Sequence, residues 1–251
     1  MKILITTDWY EPVVNGVVAS VLNLRSELLR RGHQVKILTL SPNHRSYCSG
    51  DITYIGSLGV GRIYPSARIR LKRARRLLKD ILLWKPDIVH SQCEFSTFHM
   101  GRKISEKLGV PLIHTYHTVY EQYTHYFCPS RRLGRQIAKG LSRHTLNETD
   151  RVIVPSKKVG SLLEDYQVRT PVHVIPTGID VPKFAREPHK QWMAEKKRLL
   201  NIPQDHLLLV YIGRLAKEKN LEEILGYLSR LPQKNVTLLV VGDGPHRQAL
   251  E

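Results

Sequence analysis

The sequence is poor in several residue types, and each shortage narrows the reading. It holds three cysteines, Cys48, Cys93 and Cys128. Their number is odd, their spacing wide and no CxxC occurs, so no disulfide framework is expected and a reducing compartment is favoured. Acidic residues are scarce: 22 Asp and Glu stand against 39 Lys and Arg, giving a formal net charge of +17 and a pI near 9.9. That excess predicts attraction to polyanions or anionic surfaces and says nothing about fold. Long apolar runs are missing as well. Asp8 interrupts the N-terminal "MKILITTDWYEP", leaving too short a run for a signal peptide. Stretches such as "LLLVYI" (207–212) fall far below the ~20 residues of a membrane span. The chain is therefore expected not to cross a bilayer, while lying on one stays open.

A dinucleotide fingerprint is also lacking. The first strand-to-helix loop, "TTDWYEPVVNGVVAS", carries only Gly16 where G-x-G-x-x-G needs three glycines. A single glycine at a helix start still lets a ligand approach free N–H groups and the positive end of the helix dipole. Serving simply as a helix-entry residue is the plain alternative.

What is present is alternation. "KILITT" (2–7), "QVKILTL" (34–40), "DIVHSQ" (87–92), "PLIHTY" (111–116) and "RVIVP" (151–155) read as strands, with helical segments between them. After the first strand, Val17, Val21, Leu24 and Leu28 recur at helical spacing and Gly32 closes the helix. Near-continuous apolar strands alternating with helices predict an α/β fold, a doubly wound parallel sheet covered on both faces. Residues 1–175 read as this first Rossmann-like domain and 176–205 as a linker with a connecting helix. Residues 206–251 read as the start of a second Rossmann-like domain, truncated after two strands, one helix and the opening of another. In such sheets ligands sit at the C-terminal ends of strands.

Two of those ends stand out. The first is "HTYHTVYEQYTHY" (114–126), with His114, His117, His125, Glu121 and four tyrosines. Zinc is disfavoured there, because His114 and His117 straddle a strand end and no H-x-x-x-H with a carboxylate follows. Recognition of a polyhydroxylated ligand suits the residue types, with a tyrosine-rich cover over the sheet as the alternative. The second is "YIGRLAKEKN" (211–220). Gly213 permits a sharp turn, Arg214 offers a bidentate fork for phosphate oxygens, and Lys217 and Lys219 add point charges at a helix start. Positive charge at a helix N-terminus is unfavourable, which predicts a compensating anion; solvated surface charge is the other reading.

The densest basic run is "ARIRLKRARRLLKD" (67–80), with Arg68, Arg70, Lys72, Arg73, Arg75, Arg76 and Lys79. On a helix over 71–82, Leu71, Ala74, Leu77, Leu78, Ile81 and Leu82 fall within an arc of roughly 140°. The run is expected to be a membrane-docking helix with its apolar stripe toward the acyl chains. Packing of the stripe on the domain, with charges solvated, is the fallback. "RRLGRQIAKGLSR" (131–143) adds five basic residues. Nucleic acid is the rival partner, but Tyr64 is the only aromatic between Arg62 and Lys79 and no recognisable module appears, so no nucleic-acid partner is expected. A non-catalytic anion- or carbohydrate-binding fragment is the other alternative.

The ordered set "NGVV" (15–18), Thr115-Tyr116-His117, "VIPTGID" (174–180), "GRLAKEKN" (213–220) and "GDGP" (242–245) resembles the GT-B glycosyltransferases of family 4. "HTYHTVYEQYTHY" looks most like the bacterial diacylglycerol glucosyltransferase branch. The resemblance implies a retaining transferase moving a hexose, expected to be glucose from UDP-glucose, to a membrane lipid such as diacylglycerol or a glycosyl-diacylglycerol. It places the protein in the cytoplasm, peripheral on the inner face of the cell membrane. His117 would sit beside the transferred sugar, Arg214 and Lys219 would grip the donor diphosphate, and Gly16 would let the donor phosphate or acceptor approach. Thr115, Glu121, Tyr126 and Gly244 would line the cleft. Neither a metal nor a resident cofactor is implied, since the nucleotide-sugar is the substrate and basic side chains neutralise it. The family's paired-glutamate motif lies beyond Glu251, so impaired turnover is expected of the 251-residue chain.

Overall fold

Apolar residues on successive strands dictate a sheet buried on both faces, and the computed structural model shows one. It describes residues 1–60, 67–71, 75–124, 128, 130–185 and 189–251. The chain divides into two compact units, Met1–Asp180 and Val181–Glu251.

Unit 1 comprises β1 (Lys2–Thr7), α1 (Gly16–Arg30), β2 (Gln34–Leu40), β3 (Tyr47–Ser49), β4 (Ile52–Ile55), β5 (Ser57–Gly59), β6 (Arg68–Arg70) and α2 (Arg75–Trp84). It continues with β7 (Ile88–Ser91), α3 (Ser96–Leu108), β8 (Leu112–Thr115), α4 (Arg131–Leu146), β9 (Arg151–Val154), α5 (Lys157–Asp165) and β10 (Val172–Val174). An eight-stranded sheet runs in the order β10-β9-β8-β7-β1-β2-β4-β3. Its neighbours are parallel except β3 against β4. β1 is central: Ile5 lies opposite Ile37 on one side and His90 on the other. Alternate residues feed opposite cores. Leu4, Leu38, Val89 and Leu112 join one cluster, while Ile3, Ile5, Val35 and Ile37 join the other with Val21 of α1. The chain leaves β1 toward β2 and later returns to β1's other flank as β7. The C-terminal ends of β1 and β7 therefore form the topological switch point, where ligands of such sheets bind.

The basic run departs from the helix expected for it. Arg68 and Arg70 lie on β6, antiparallel to β5. The Arg68 guanidinium turns inward, donating to the carbonyls of Ser41 (2.9 Å) and Pro42 (2.7 Å) and to Ser57 Oγ (2.6 Å). It is a tertiary clamp, held by carbonyls that local periodicity does not reveal. Lys72 and Arg73 lie outside the described residues. On α2, Ile81 is buried, and Leu77, Leu78, Leu82 and Trp84 pack against the core cluster holding Leu4 and Leu38. Full burial of such side chains is worth about 1.5–3 kcal/mol each. The described part of the stripe on α2, from Leu77 to Leu82, is thus turned onto the core of the domain, while Arg75, Arg76 and Lys79 stay exposed.

Unit 2 comprises α6 (Val181–Phe184), α7 (Lys190–Leu199), β11 (Leu207–Ile212), α8 (Leu221–Arg230), β12 (Val236–Val241) and α9 (Arg247–Leu250). β11 and β12 pair in parallel from Leu207↔Val236 to Ile212↔Val241. The loops leaving them interlock: Gly213 N donates to Val241 O (3.0 Å), Leu215 N to Asp243 O (2.9 Å), and His246 N to Leu215 O (3.0 Å). Gly242 has φ +159°, and a Cβ there would meet Gly213 O at 1.9 Å, so only glycine fits. Among the described residues no helix is long and apolar enough to cross a membrane.

Candidate active site

At the switch point of unit 1 a buried polar cluster is assembled from the ends of β1, β7 and β8. Asp8, the residue after β1, accepts from Thr97 N (2.8 Å) and Ser96 N (3.2 Å). Its carboxylate thereby fills the positive end of α3. Burial raises Asp8 to about 6 despite these bonds, and the charge of nearby Glu94 adds to the shift. The turn after β7 supplies Gln92 and Glu94, both buried. The segment after β8 supplies His117 and a 3-10 turn, Tyr120–Gln122.

These groups interlock. His117 Nε2–H donates to Gln92 Oε1 at 2.7 Å. Tyr120 OH donates to Glu94 Oε2, and His114 Nε2 bonds Glu94 Oε1 at 3.3 Å. Tyr116 OH meets Ser142 Oγ of α4 at 2.9 Å. Burial lowers His117 to about 4, outweighing the opposing charge of Glu94, so the imidazole is neutral at physiological pH. Burial likewise holds His90 at about 3, and its Nε2 lies 2.8 Å from Thr115 Oγ1. The Cys93 thiol is pushed well up by burial and by the neighbouring Asp8 and Glu94, which keeps it protonated and inert. Among the described residues no group of three or more His, Cys, Asp or Glu could hold a metal ion. What the cluster can do is present one neutral, rigidly held imidazole at a strand end.

The residues expected from the sequence are dispersed between the two units. Gly16 opens α1 directly after Asn15, whose side chain caps the helix by accepting from Val18 N (2.8 Å), and space beside Gly16 is open. Thr115 faces His90 and is already bonded to it. Glu121 accepts from Arg135 Nε of α4 at 2.9 Å. Tyr126 lies outside the described residues.

In unit 2, Arg214 Nη2 pairs with the Glu218 carboxylate, and Lys219 is exposed. Lys217 and Lys219 precede the helix and do not open it, contrary to the expectation from sequence. Lys217–Lys219 form a 3-10 turn, and Asn220 adopts a left-handed conformation (φ 51°) before α8 begins. The first turn of α8 carries Glu222 and Glu223, which already complement its dipole. Gly244 is a packing position: a Cβ there would lie 2.2 Å from Leu215 O. Asp8, Gln92 and Glu94 were missed as site residues. The signal available was the polar turn "SQCEFS" (91–96) leaving an apolar strand at the switch point.

With this geometry in view, comparison with known proteins is specific. Residues 14–183 match the model of Glycosyltransferase Family 4, and residues 193–251 that of Glycosyl transferases group 1. An alpha-monoglucosyldiacylglycerol synthase of Streptococcus pneumoniae (strain ATCC BAA-255 / R6) is 35% identical over 255 residues, covering 100% of this chain and 58% of that protein. The Acholeplasma laidlawii protein of the same description is 27% identical over 267 residues, covering 100% of this chain and 65% of its own. This chain thus spans about six-tenths of the length of those relatives. Among solved structures, the lipopolysaccharide glycosyltransferase WaaG superposes with a TM-score of 0.62 at 16% identity, over 98% of this chain and 65% of that one. Sucrose-phosphate synthase from Thermosynechococcus elongatus gives 0.62 at 19% identity, over 96% and 62%. These neighbours share the GT-B fold class, with its mostly parallel central sheet, and the match over 14–183 decides membership: the chain belongs to glycosyltransferase family 4.

Proposed function

We propose that the protein acts in a retaining hexosyl transfer, moving glucose from UDP-glucose to diacylglycerol or a glycosyl-diacylglycerol at the cytoplasmic face of an anionic membrane. The observation that carries this reading is His117. It is a neutral imidazole held at the C-terminal end of β8, in a chain 35% identical to an alpha-monoglucosyldiacylglycerol synthase. A neutral ring can hydrogen-bond a sugar hydroxyl and face developing positive charge without repelling it. An imidazolium would oppose that charge.

Arg214 and Lys219 take the donor diphosphate. Negative charge grows on the leaving nucleoside diphosphate as the glycosidic bond breaks, and fixed cations stabilise that growth. Arg214 enters with its guanidinium already oriented by Glu218. Gly16 supports this reading through the open space beside the first residue of α1. Glu121 and Thr115, engaged by Arg135 and His90, shape the segment around His117.

The membrane surface is approached electrostatically. Arg75, Arg76 and Lys79 project from α2, and each Lys or Arg near an anionic leaflet is worth about 1 kcal/mol. Apolar contact comes from α4, where Leu133 and Ile137 are 56% and 48% exposed on a helix that also carries Arg131, Arg132 and Arg143. The test is transfer of labelled glucose from UDP-glucose into lipid by the native protein, in vesicles holding diacylglycerol or monoglucosyl-diacylglycerol. Retained α-configuration, faster transfer on anionic than zwitterionic vesicles, and a loss of about 10²–10³-fold in His117→Ala are expected. Absence of transfer to both lipids defeats the reading.

A further inference from the structure

His117 lies two residues past the end of β8, beyond the last sheet hydrogen bond on that segment, Tyr116 N to Ile153 O at 2.9 Å. The ladder does not orient its ring. We propose that Gln92, on the turn leaving β7, is a positioning residue that fixes the tautomer and orientation of His117, while Glu94 anchors the segment carrying it.

Gln92 is itself rigid. It is 2% exposed, and its backbone N–H donates to Thr6 O of β1 at 2.8 Å. Its Oε1 is an acceptor only, so the proton of the neutral ring resides on Nε2, 2.7 Å away. Nδ1 is then the ring's lone-pair nitrogen, the tautomer logic of a second group deciding which ring nitrogen acts. Glu94 secures the following turn. It takes the Tyr120 hydroxyl, and Tyr120 packs edge-on against Phe95 (5.7 Å) and Tyr116 (6.3 Å). The titratable groups that act on the ring are Glu94 and His90 from β7 and its turn and His114 from β8.

The catalytic consequence rests on the hexosyl-transfer reading; the tautomer does not. Gln92→Leu removes the acceptor together with a buried amide nitrogen that has no partner among the described residues, so folding is expected to survive. Gln92→Met is the second variant should Leu fail to fold. In the protein labelled with ¹⁵N-histidine, with His117 assigned by His117→Gln, the wild type is expected to show one tautomer protonated at Nε2. Gln92→Leu is expected to show both tautomers and a kcat about 10²-fold lower with the donor KM held. Gln92→Glu, which keeps an acceptor oxygen, is expected to restore the single tautomer when read above the ring's titration midpoint, which the added carboxylate raises. An unchanged tautomer in Gln92→Leu and Gln92→Met overturns the inference, whatever happens to kcat. A pinned tautomer in a wild type that transfers no glucose would instead remove the transfer reading and leave the positioning role standing.

Discussion

His117 and Lys219 stand at opposite extremes of solvation. The imidazole of unit 1 is enclosed by Gln92, Glu94 and His114 at a sheet end, and burial strips it of charge before any ligand arrives. The ammonium of unit 2 lies open to water on a 3-10 turn, and its neighbour Arg214 is paired with Glu218. Burial orders a group in advance and sets its protonation state at the cost of desolvation. Exposure keeps a cation charged and mobile, and its attraction gains strength only when a ligand excludes the water around it. The two units thus carry groups of opposite kinds: a ring prepared by the fold in unit 1, and in unit 2 cations that, in the proposed transfer, tighten only on the donor.

That contrast can be broken where the effect should be largest. Charge-assisted hydrogen bonds contribute about 1.5–3 kcal/mol each, so Arg214→Ala is expected to weaken UDP-glucose binding by about tenfold or more. Lys219→Ala should lose less, because its ammonium starts fully solvated and flexible. Titration calorimetry on the native protein reads both; equal losses, or none, would end the ranking.

A smaller effect probes the rigidity of the buried half. A Cβ on Gly134 of α4 would lie 2.6 Å from Thr124 Cβ, beside the turn that Tyr120 opens. Gly134→Ala is therefore expected to destabilise unit 1 by about 1–3 kcal/mol through overpacking. Thermal unfolding followed by circular dichroism checks this, and an unchanged or raised Tm would show that the turn yields freely.

A further effect appears in acid. The unfolded chain takes up protons on His117 and His90 near pH 6.5, whereas the fold resists until about 4 and about 3. Stability therefore falls as pH drops through that window. Asp8 works the other way. Raised to about 6, it holds a proton that the unfolded chain has released, so its contribution is present at low pH and lost as pH rises toward 6. Asp8→Asn deletes this offset, and the decline of Tm from pH 6.5 to 4 should be steeper than in the wild type. A shallower decline would contradict the assigned shifts.

Much of this was legible in the sequence, and the exceptions share a cause. The strands at 2–7, 34–40 and 151–155 announced themselves because burial on both faces demands continuous apolar runs. The His- and Tyr-rich segment holding His117 stood out by its place after a strand, and the role given to His117 came from the resemblance to family 4 alone. The segment from Tyr47 to Arg70 was not, since four short strands there depend on partners far along the chain, as Arg68 does on Ser41 and Pro42. The stripe of α2 was visible in the periodicity, but what it packs against is a tertiary fact. Gln92 and Glu94 escaped for the same reason, because their meaning comes from facing residues about 25 positions away.

The most direct test of this account is the titration midpoint of His117, read from its ring resonances by NMR in the wild-type protein. A midpoint of about 4 is expected, with the ring neutral and in one tautomer throughout the physiological range. A midpoint near the ordinary histidine value of about 6.5 would contradict it, because the imidazole would then be neither enclosed nor prepared by the fold.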